Sequence, residues 1–251
     1  MTFELTLPPG SATGPEAALA DLGPIPMPIG EPTPALEARA VAWLAAALLL
    51  GYPDDEARAG LPAVRHALTQ VADRLPRAVV APLLELADEL VVTDPLTAQR
   101  RYVAIFDTRR RCCPYLTYYL HGDTRRRGVA LWRVQASLRA CGFEPRDGEL
   151  PDHLSVLCEL AAVGDEQVAL TLIGEHRPGL TLFAEALRQA GSGYVRVVAA
   201  IEALLPPDDG STAAATVAAA LAASGPPSEH VGRAGWTAPF TALTDDRGAR
   251  R

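Results

Sequence analysis

Lysine is absent from this 251-residue chain, so arginine supplies every one of its 23 Lys/Arg positive charges. Together with abundant Ala, Gly and Pro, this is the bias of GC-rich coding rather than a mechanism. The basic excess that phosphate neutralisation requires is also missing, because the net charge is −7; general nucleic-acid binding is excluded on that ground. Aromatics make up only 6% of the chain, which leaves a core built mainly from aliphatic side chains. No apolar run reaches the roughly 18 residues that a membrane-spanning helix needs, and residues 40–50 are the longest approach to one. Residues 1–10 carry Glu4 but no basic side chain, unlike the start of a secretory signal, and a cytoplasmic location is expected. The four cysteines include the adjacent Cys112 and Cys113 and do not form the spaced framework of a disulfide domain. Reduced thiols are expected, and no CxxC pair completes a metal site. A phosphate-binding GxxxxGK[ST] loop, HExxH, and a GxSxG elbow are all lacking, as is a strand leading into GxGxxG, so no catalytic residue or resident metal is assigned.

What is present is helical periodicity. Residues 1–34, rich in Pro and Gly, read as a disordered arm. At Thr33-Pro34 a helix begins, with Leu36, Ala40, Trp43, Leu44, Ala47 and Leu48 at helical spacing, and Gly51 and Pro53 end it. Val79, Val80, Leu83, Leu84, Ala87, Leu90 and Val91 form a second stripe, and Asp94-Pro95 opens a third helix. Asp123 or Thr124 is positioned to cap a helix carrying Val129, Leu131, Trp132, Val134 and Leu138, with Gly142 at its end. Pro151, Asp165 and Pro178 each begin another helix, and Ser192 precedes a last one closed by Pro206-Pro207. No alternating β pattern appears. The expectation is one all-α domain of eight or nine helices over residues 35–206, followed by a mostly disordered tail over 207–251.

Charge and aromatics concentrate between Tyr102 and Leu160. Arg125, Arg126 and Arg127 fall in the first turn of a helix, where the macrodipole disfavours cations by a few tenths to about 1 kcal/mol each. An acidic partner is therefore expected, with Asp123 nearby and Asp107, Asp152 or Glu159 able to approach from other helices. These charges suit either a solvated face or the rim of an anion or peptide pocket. Asp152-His153 suits either helix-start chemistry or such a rim. Tyr115, Tyr118 and Tyr119 fall on more than one side of a short helix, some facing the core and others available to a peptide groove.

The ordered blocks Tyr102-Val103, Phe106-Asp107, Tyr115-Leu116-Thr117-Tyr118-Tyr119, Gly122-Asp123-Thr124-Arg125-Arg126-Arg127-Gly128 and Glu149-Leu150-Pro151-Asp152-His153-Leu154, followed by Glu159, resemble a known family. It is that of the NarJ-type respiratory nitrate reductase molybdenum cofactor assembly chaperones, or nitrate reductase delta subunits, within the TorD/DmsD-like superfamily. Leu48-Leu49-Leu50-Gly51-Tyr52-Pro53 and Gly193-Tyr194-Val195 extend the likeness over roughly residues 36–206. Pro114, Ser155 and Leu160 depart from the family pattern.

The resemblance implies a TorD-like helical fold without enzymatic activity. It also implies a cytoplasmic chaperone that binds the apo catalytic subunit of respiratory nitrate reductase through its N-terminal segment. The chaperone would assist insertion of molybdenum guanine dinucleotide before membrane attachment, without holding the cofactor stably. Molybdenum cofactor biosynthesis proteins are further expected partners. The partner-binding set on this reading is Tyr115, Tyr118, Tyr119, Asp123, Arg125, Arg126, Arg127, Glu149, Asp152, His153 and Glu159. The alternatives are a chaperone of a dimethyl sulfoxide or trimethylamine oxide reductase that reads a twin-arginine signal, and a helical protein whose arginines bind a phosphate or nucleotide.

Overall fold

Thr33 starts the first helix through its side chain, with Oγ1 accepting the Leu36 amide at 3.3 Å and Pro34 in the first turn. In the computed structural model, which describes residues 33–145, 149–207 and 223, this helix is α1 (Pro34–Leu50). It is followed by α2 (Asp55–Gln70), α3 (Arg77–Val92), α4 (Pro95–Phe106), a 3-10 turn (Arg110–Cys112) and α5 (Leu116–His121). The chain continues through α6 (Arg125–Ala140), α7 (Leu154–Val163), α8 (Glu166–Glu175), α9 (Arg177–Gln189) and α10 (Val195–Leu204). The architecture is all-α, with ten α-helices among the described residues. The expected arm over 1–34 and tail over 207–251 lie outside the described residues except at 33, 34, 207 and 223.

The tenth helix is α2, which no reading of periodicity singled out. Pro62 lies inside it and Gly60 precedes that proline, so its local signal is poor, yet Leu61, Val64 and Leu68 are buried. Asp54 caps it at Ala57 N, 2.8 Å away. Arg58 on α2 donates to the carbonyls of Leu90 at 2.9 Å and Thr93 at 2.7 Å, which closes the end of α3. Tertiary packing and this borrowed cap compensate for the weak propensity.

α1 lies against α7, α3 and α10, and its pairing with α7 is the most extensive in the molecule. Ala38, Ala42, Ala45, Ala46 and Ala47 form much of its buried surface around Trp43, and such small side chains let helices approach closely. Leu36, Leu44 and Leu48, expected on the inner stripe, instead face solvent at 48%, 41% and 46% exposure. The sequence carries apolar residues on both faces of α1, so spacing alone does not say which face is inward. The Trp43 indole and the Arg39 guanidinium both donate to Oε1 of Glu166 on α8, at 2.6 and 2.7 Å.

α3 buries Val79, Val80, Leu83, Leu86, Ala87 and Leu90 against α10 and α2. Asp94 Oδ2 accepts the Thr97 amide at 3.0 Å to start α4, and Asp165 Oδ1 accepts that of Val168 at 3.0 Å to start α8. Tyr102, Phe106, Phe183 and Tyr194 meet edge-on or tilted between α4, α9 and the start of α10, so the few aromatics cluster in one part of the core.

Candidate partner-binding site

α5 has only six residues, and its own preceding residue, Tyr115, provides no side-chain cap. Asp152 supplies it from across the fold. Oδ2 of Asp152 accepts both the backbone amide of Thr117 at 3.2 Å and its hydroxyl at 2.5 Å. A carboxylate in this place also complements the positive end of the helix. Two backbone bonds align the segments: Leu116 N donates to Asp152 O at 3.1 Å, and Leu154 N donates to Pro114 O at 2.9 Å. They flank an antiparallel bridge between Tyr115 and His153.

Pro151 therefore does not begin a helix, contrary to the reading from spacing. Residues 152 and 153 are used for pairing with 114–117, and α7 begins only at Leu154, with His153 as its N-cap. The His153 ring accepts the Ser155 amide on Nδ1 at 3.2 Å, and Ser155 Oγ lies 2.6 Å from the same nitrogen. Burial holds the imidazole below its ordinary pKa of 6.5, against the opposing pull of Glu149 and Asp152. Ser155 has a physical role here, because a proline at that position would have no N–H to give.

Arg127 fills the space above this junction. Its guanidinium lies 3.9 Å from Asp152 Oδ2, its Nε donates to Thr117 Oγ1 at 3.4 Å, and its Cζ sits 5.9 Å and 5.7 Å from the Tyr115 and Tyr118 ring centroids. Asp152 thus gives Arg127 the acidic compensation expected for the arginine run. Asp152 is fully buried, and its Oδ1 has no hydrogen-bond partner among the described residues. The Tyr115 hydroxyl donates to Glu149 Oε1 at 3.0 Å, and burial together with that carboxylate raises its pKa.

The other expected site residues divide by position. Tyr119 is a core residue: its ring tilts against Phe183, its hydroxyl donates to Arg111 O at 2.9 Å, and burial raises its pKa. Asp123 pairs with Arg110 instead of the run at 125–127. Thr124 occupies the N-cap position of α6, but its hydroxyl donates backwards to His121 O at 2.7 Å. Neither side chain caps α6 as spacing had suggested. Gly122, between His121 and Asp123, has φ 55° and ψ −150°, a backbone state open essentially to glycine alone. Arg125 and Arg126 are exposed on the first turn of α6. Glu159 is half-buried on α7 and makes no hydrogen bond or ion pair among the described residues. The structure thus brings Tyr115, Tyr118, Arg127, Glu149, Asp152 and His153 together, with Asp152 and His153 beneath the surface.

Two features escaped the sequence reading. One is Thr117, the partner of Asp152, whose only signal is a hydroxyl in the second position of a helix lacking its own cap. The other is a groove of about 530 Å³ between α5, α6 and α8, with Leu120, Val129 and Leu172 on its apolar side and His121, Arg126 and Arg133 on its polar side. Val129 is 69% exposed and Trp132 39%, although both were expected on the stripe of α6; only Val134, Ser137 and Leu138 are buried there. The groove sets the consecutive helices α5 and α6 against α8, which is distant in sequence, so no local pattern reports it. Burial, then His176 and Arg126, lowers the His121 pKa. Among the described residues no group of three or more His, Cys, Asp or Glu is placed to hold a metal, and no helix is long and apolar enough to cross a membrane.

The model of the nitrate reductase delta subunit family matches residues 72–200, a span that includes both halves of the Thr117–Asp152 junction and the groove. The nitrate reductase-like protein NarX of Mycobacterium tuberculosis is 36% identical over 162 residues, covering 64% of this chain and 24% of that protein, so this chain spans about a quarter of that relative's length. The Bacillus subtilis protein named "Probable nitrate reductase molybdenum cofactor assembly chaperone NarJ" is 28% identical over 66% of this chain and 89% of its own length. Nitrate reductase molybdenum cofactor assembly chaperone NarJ of Escherichia coli is 33% identical over 42% of this chain and 45% of its own. Among solved structures, one described as a redox enzyme maturation protein from Archaeoglobus fulgidus aligns with a TM-score of 0.46 at 21% identity, covering 63% of this chain and 88% of that one. The family match extends over more than half of the sequence, and the chain belongs to the nitrate reductase delta subunit family.

Proposed function

We infer that this chain is a maturation chaperone for a nitrate reductase. The observation that carries the reading is the family match over residues 72–200, joined to the chaperone names of its Bacillus and Escherichia relatives. On this reading the chain binds the apo catalytic subunit in the cytoplasm and keeps it open for insertion of molybdenum guanine dinucleotide. It leaves before the enzyme reaches the membrane, performs no chemistry itself and keeps no cofactor. Proteins of molybdenum cofactor biosynthesis are its natural second partners.

The N-terminal segment of the client binds as an amphipathic helix. Its apolar face lies on the groove side formed by Leu120, Val129 and Leu172, with Arg126 and Arg133 meeting its polar edge. Half-buried Tyr115 and Tyr118 extend the contact along α5. Arg125, Asp123, Glu149 and Glu159 supply charge around it, whereas Asp152, His153, Arg127 and Tyr119 hold α5 and α6 in place.

Isothermal titration of the full chain with the N-terminal segment of the cognate catalytic subunit, repeated over a range of temperatures, tests this. Saturable binding with a negative heat-capacity change is the expected result. Absence of binding to both the segment and the whole apo-subunit overturns the reading.

A further inference from the structure

The groove between α5, α6 and α8 is edged by two turns of α6, on which Arg126, Val129, Ala130 and Arg133 share one face. Val129, 69% exposed, forms the apolar side of the groove with Leu120 and Leu172. Arg133 donates to Glu175 Oε1 at 2.8 Å, whereas Arg126 makes no ion pair or hydrogen bond among the described residues. That leaves an uncompensated cation in the first turn of α6, where the helix dipole disfavours it.

The chain leaves the helical domain beside this groove. After α10 ends at Leu204, the guanidinium of Arg177 donates to the carbonyl of Pro206 at 2.5 Å. Arg177 directly follows Glu175 and His176, the groove residues at the end of α8. Residues 207–235 contain no Phe, Trp or Tyr. Trp236, Phe240 and Leu243 then come at the i, i+4, i+7 spacing with which a helix sets anchors into a groove. Pro239 falls where a first helical turn tolerates proline, and Asp245 and Asp246 follow the last anchor. Reach is not limiting, because residues 207–235 span up to roughly 100 Å when extended and roughly 40 Å even as continuous helix.

We propose that residues 236–246 of this chain occupy the groove and that an incoming client segment binds by displacing them. Trp236, Phe240 and Leu243 lie on the apolar side, and Asp245 and Asp246 meet Arg126. Tethering beside the groove gives the segment an effective concentration on the order of 1 mM, so an intrinsic Kd of about 100 µM keeps the groove filled most of the time. Weakly binding apolar segments are thereby turned away, while a tighter one displaces the tail. The inference rests on the reading of this groove as a surface for an amphipathic helix.

The test compares two full-length chains, wild type and Trp236→Ser/Phe240→Ser, with a fluorescent peptide of residues 232–251 as the probe. Saturable binding to the double variant is expected, about tenfold tighter than to wild type, whose own tail competes. Adding Val129→Glu to the double variant should abolish it without moving the melting temperature. No peptide binding to the double variant, equal binding to both chains, or binding indifferent to Val129→Glu overturns the proposal. Dimerisation of the wild type that disappears in the double variant places the tail in a second copy and overturns the intramolecular form. The client segment should bind the double variant about tenfold more tightly than wild type, and equal affinity overturns displacement. A client segment that binds neither chain while the peptide binds the double variant counts against the chaperone reading and not against tail docking.

Discussion

The hydroxyl of Thr117 donates to Oδ2 of Asp152 at 2.5 Å, in a buried contact between residues 35 positions apart. Asp152 caps α5 and faces the Arg127 guanidinium through its carboxylate, and contributes its backbone carbonyl to the adjoining bridge. Asp152→Ala should lower the unfolding free energy by about 2–4 kcal/mol, since the Thr117 donors and Arg127 lose their acceptor inside the protein. Thr117→Val should cost about 1–2 kcal/mol. Urea unfolding of the two variants checks both, and a wild-type midpoint for Asp152→Ala would show that the junction contributes nothing to stability.

Surface residues of the same region should behave in the opposite way. Tyr118→Ala and Arg126→Ala should each weaken binding of the catalytic-subunit segment by about tenfold while leaving the melting temperature nearly unchanged. Parallel loss of melting temperature and affinity in both variants would mean that they, like Asp152, serve only the framework.

His153 gives the fold a pH dependence with a definite sign. Its pKa in the folded protein lies below the ordinary 6.5, so below that pH the unfolded chain takes up a proton that the folded chain resists. Its contribution to stability is complete above about pH 6.5 and is lost progressively as pH falls toward the folded value. His121 acts in the same direction through its own lowered pKa. His153→Asn keeps a capping side chain but removes the titration, and should flatten the decline in urea midpoint between about pH 7.5 and about pH 5.5 without abolishing it. An unchanged slope would sink this assignment.

Two glycines should respond to alanine with opposite signs. A Cβ at Gly179 on α9 would stand 2.9 Å from Tyr119 Cβ and 3.3 Å from its Cγ, atoms fixed close to the α5 backbone. Overpacking of about 1–3 kcal/mol should outweigh a helix-propensity gain of about 1 kcal/mol. At Gly60 on α2 nothing lies within 4 Å of the added carbon, and Gly60→Ala should stabilise by up to about 1 kcal/mol. Thermal unfolding of the pair decides the matter: equal shifts would mean that α5 and α9 are not in close contact.

Glu166→Ala should also destabilise, by about 1–3 kcal/mol, because the indole N–H of fully buried Trp43 loses its acceptor and Arg39 its partner. Glu166→Gln retains an oxygen for Trp43 and should lose less; equal losses would show that the charge on Arg39, not the indole, is what matters.

Capping chemistry made much of the fold legible. Thr33-Pro34, Asp94-Pro95 and Asp165 act as helix starts because each works within three or four residues, the distance over which a sequence can be read directly. α2 was illegible because its stability comes from packing and from Arg58 reaching across to α3. The inner face of α1 was misjudged because alanines, not the larger leucines, do most of its packing. At the site, the need for an acid near Arg125–Arg127 followed from helix electrostatics. That Asp152 answers Arg127 and Asp123 answers Arg110 depends on how the segments cross, which local pattern does not contain.

The bridge between Tyr115 and His153 turns the chain between them into a loop closed at its base by a few bonds. Within that loop α6 buries only Val134, Ser137 and Leu138. Opening the base would free Leu116 N and Leu154 N together, so these two amides should exchange as a unit below the free energy of global unfolding. Faster hydrogen exchange at these two amides than in the α1–α7 and α3–α10 core is the expected mark of that opening, and Asp152, whose carboxylate caps α5 beside them, is the residue whose loss should raise it most.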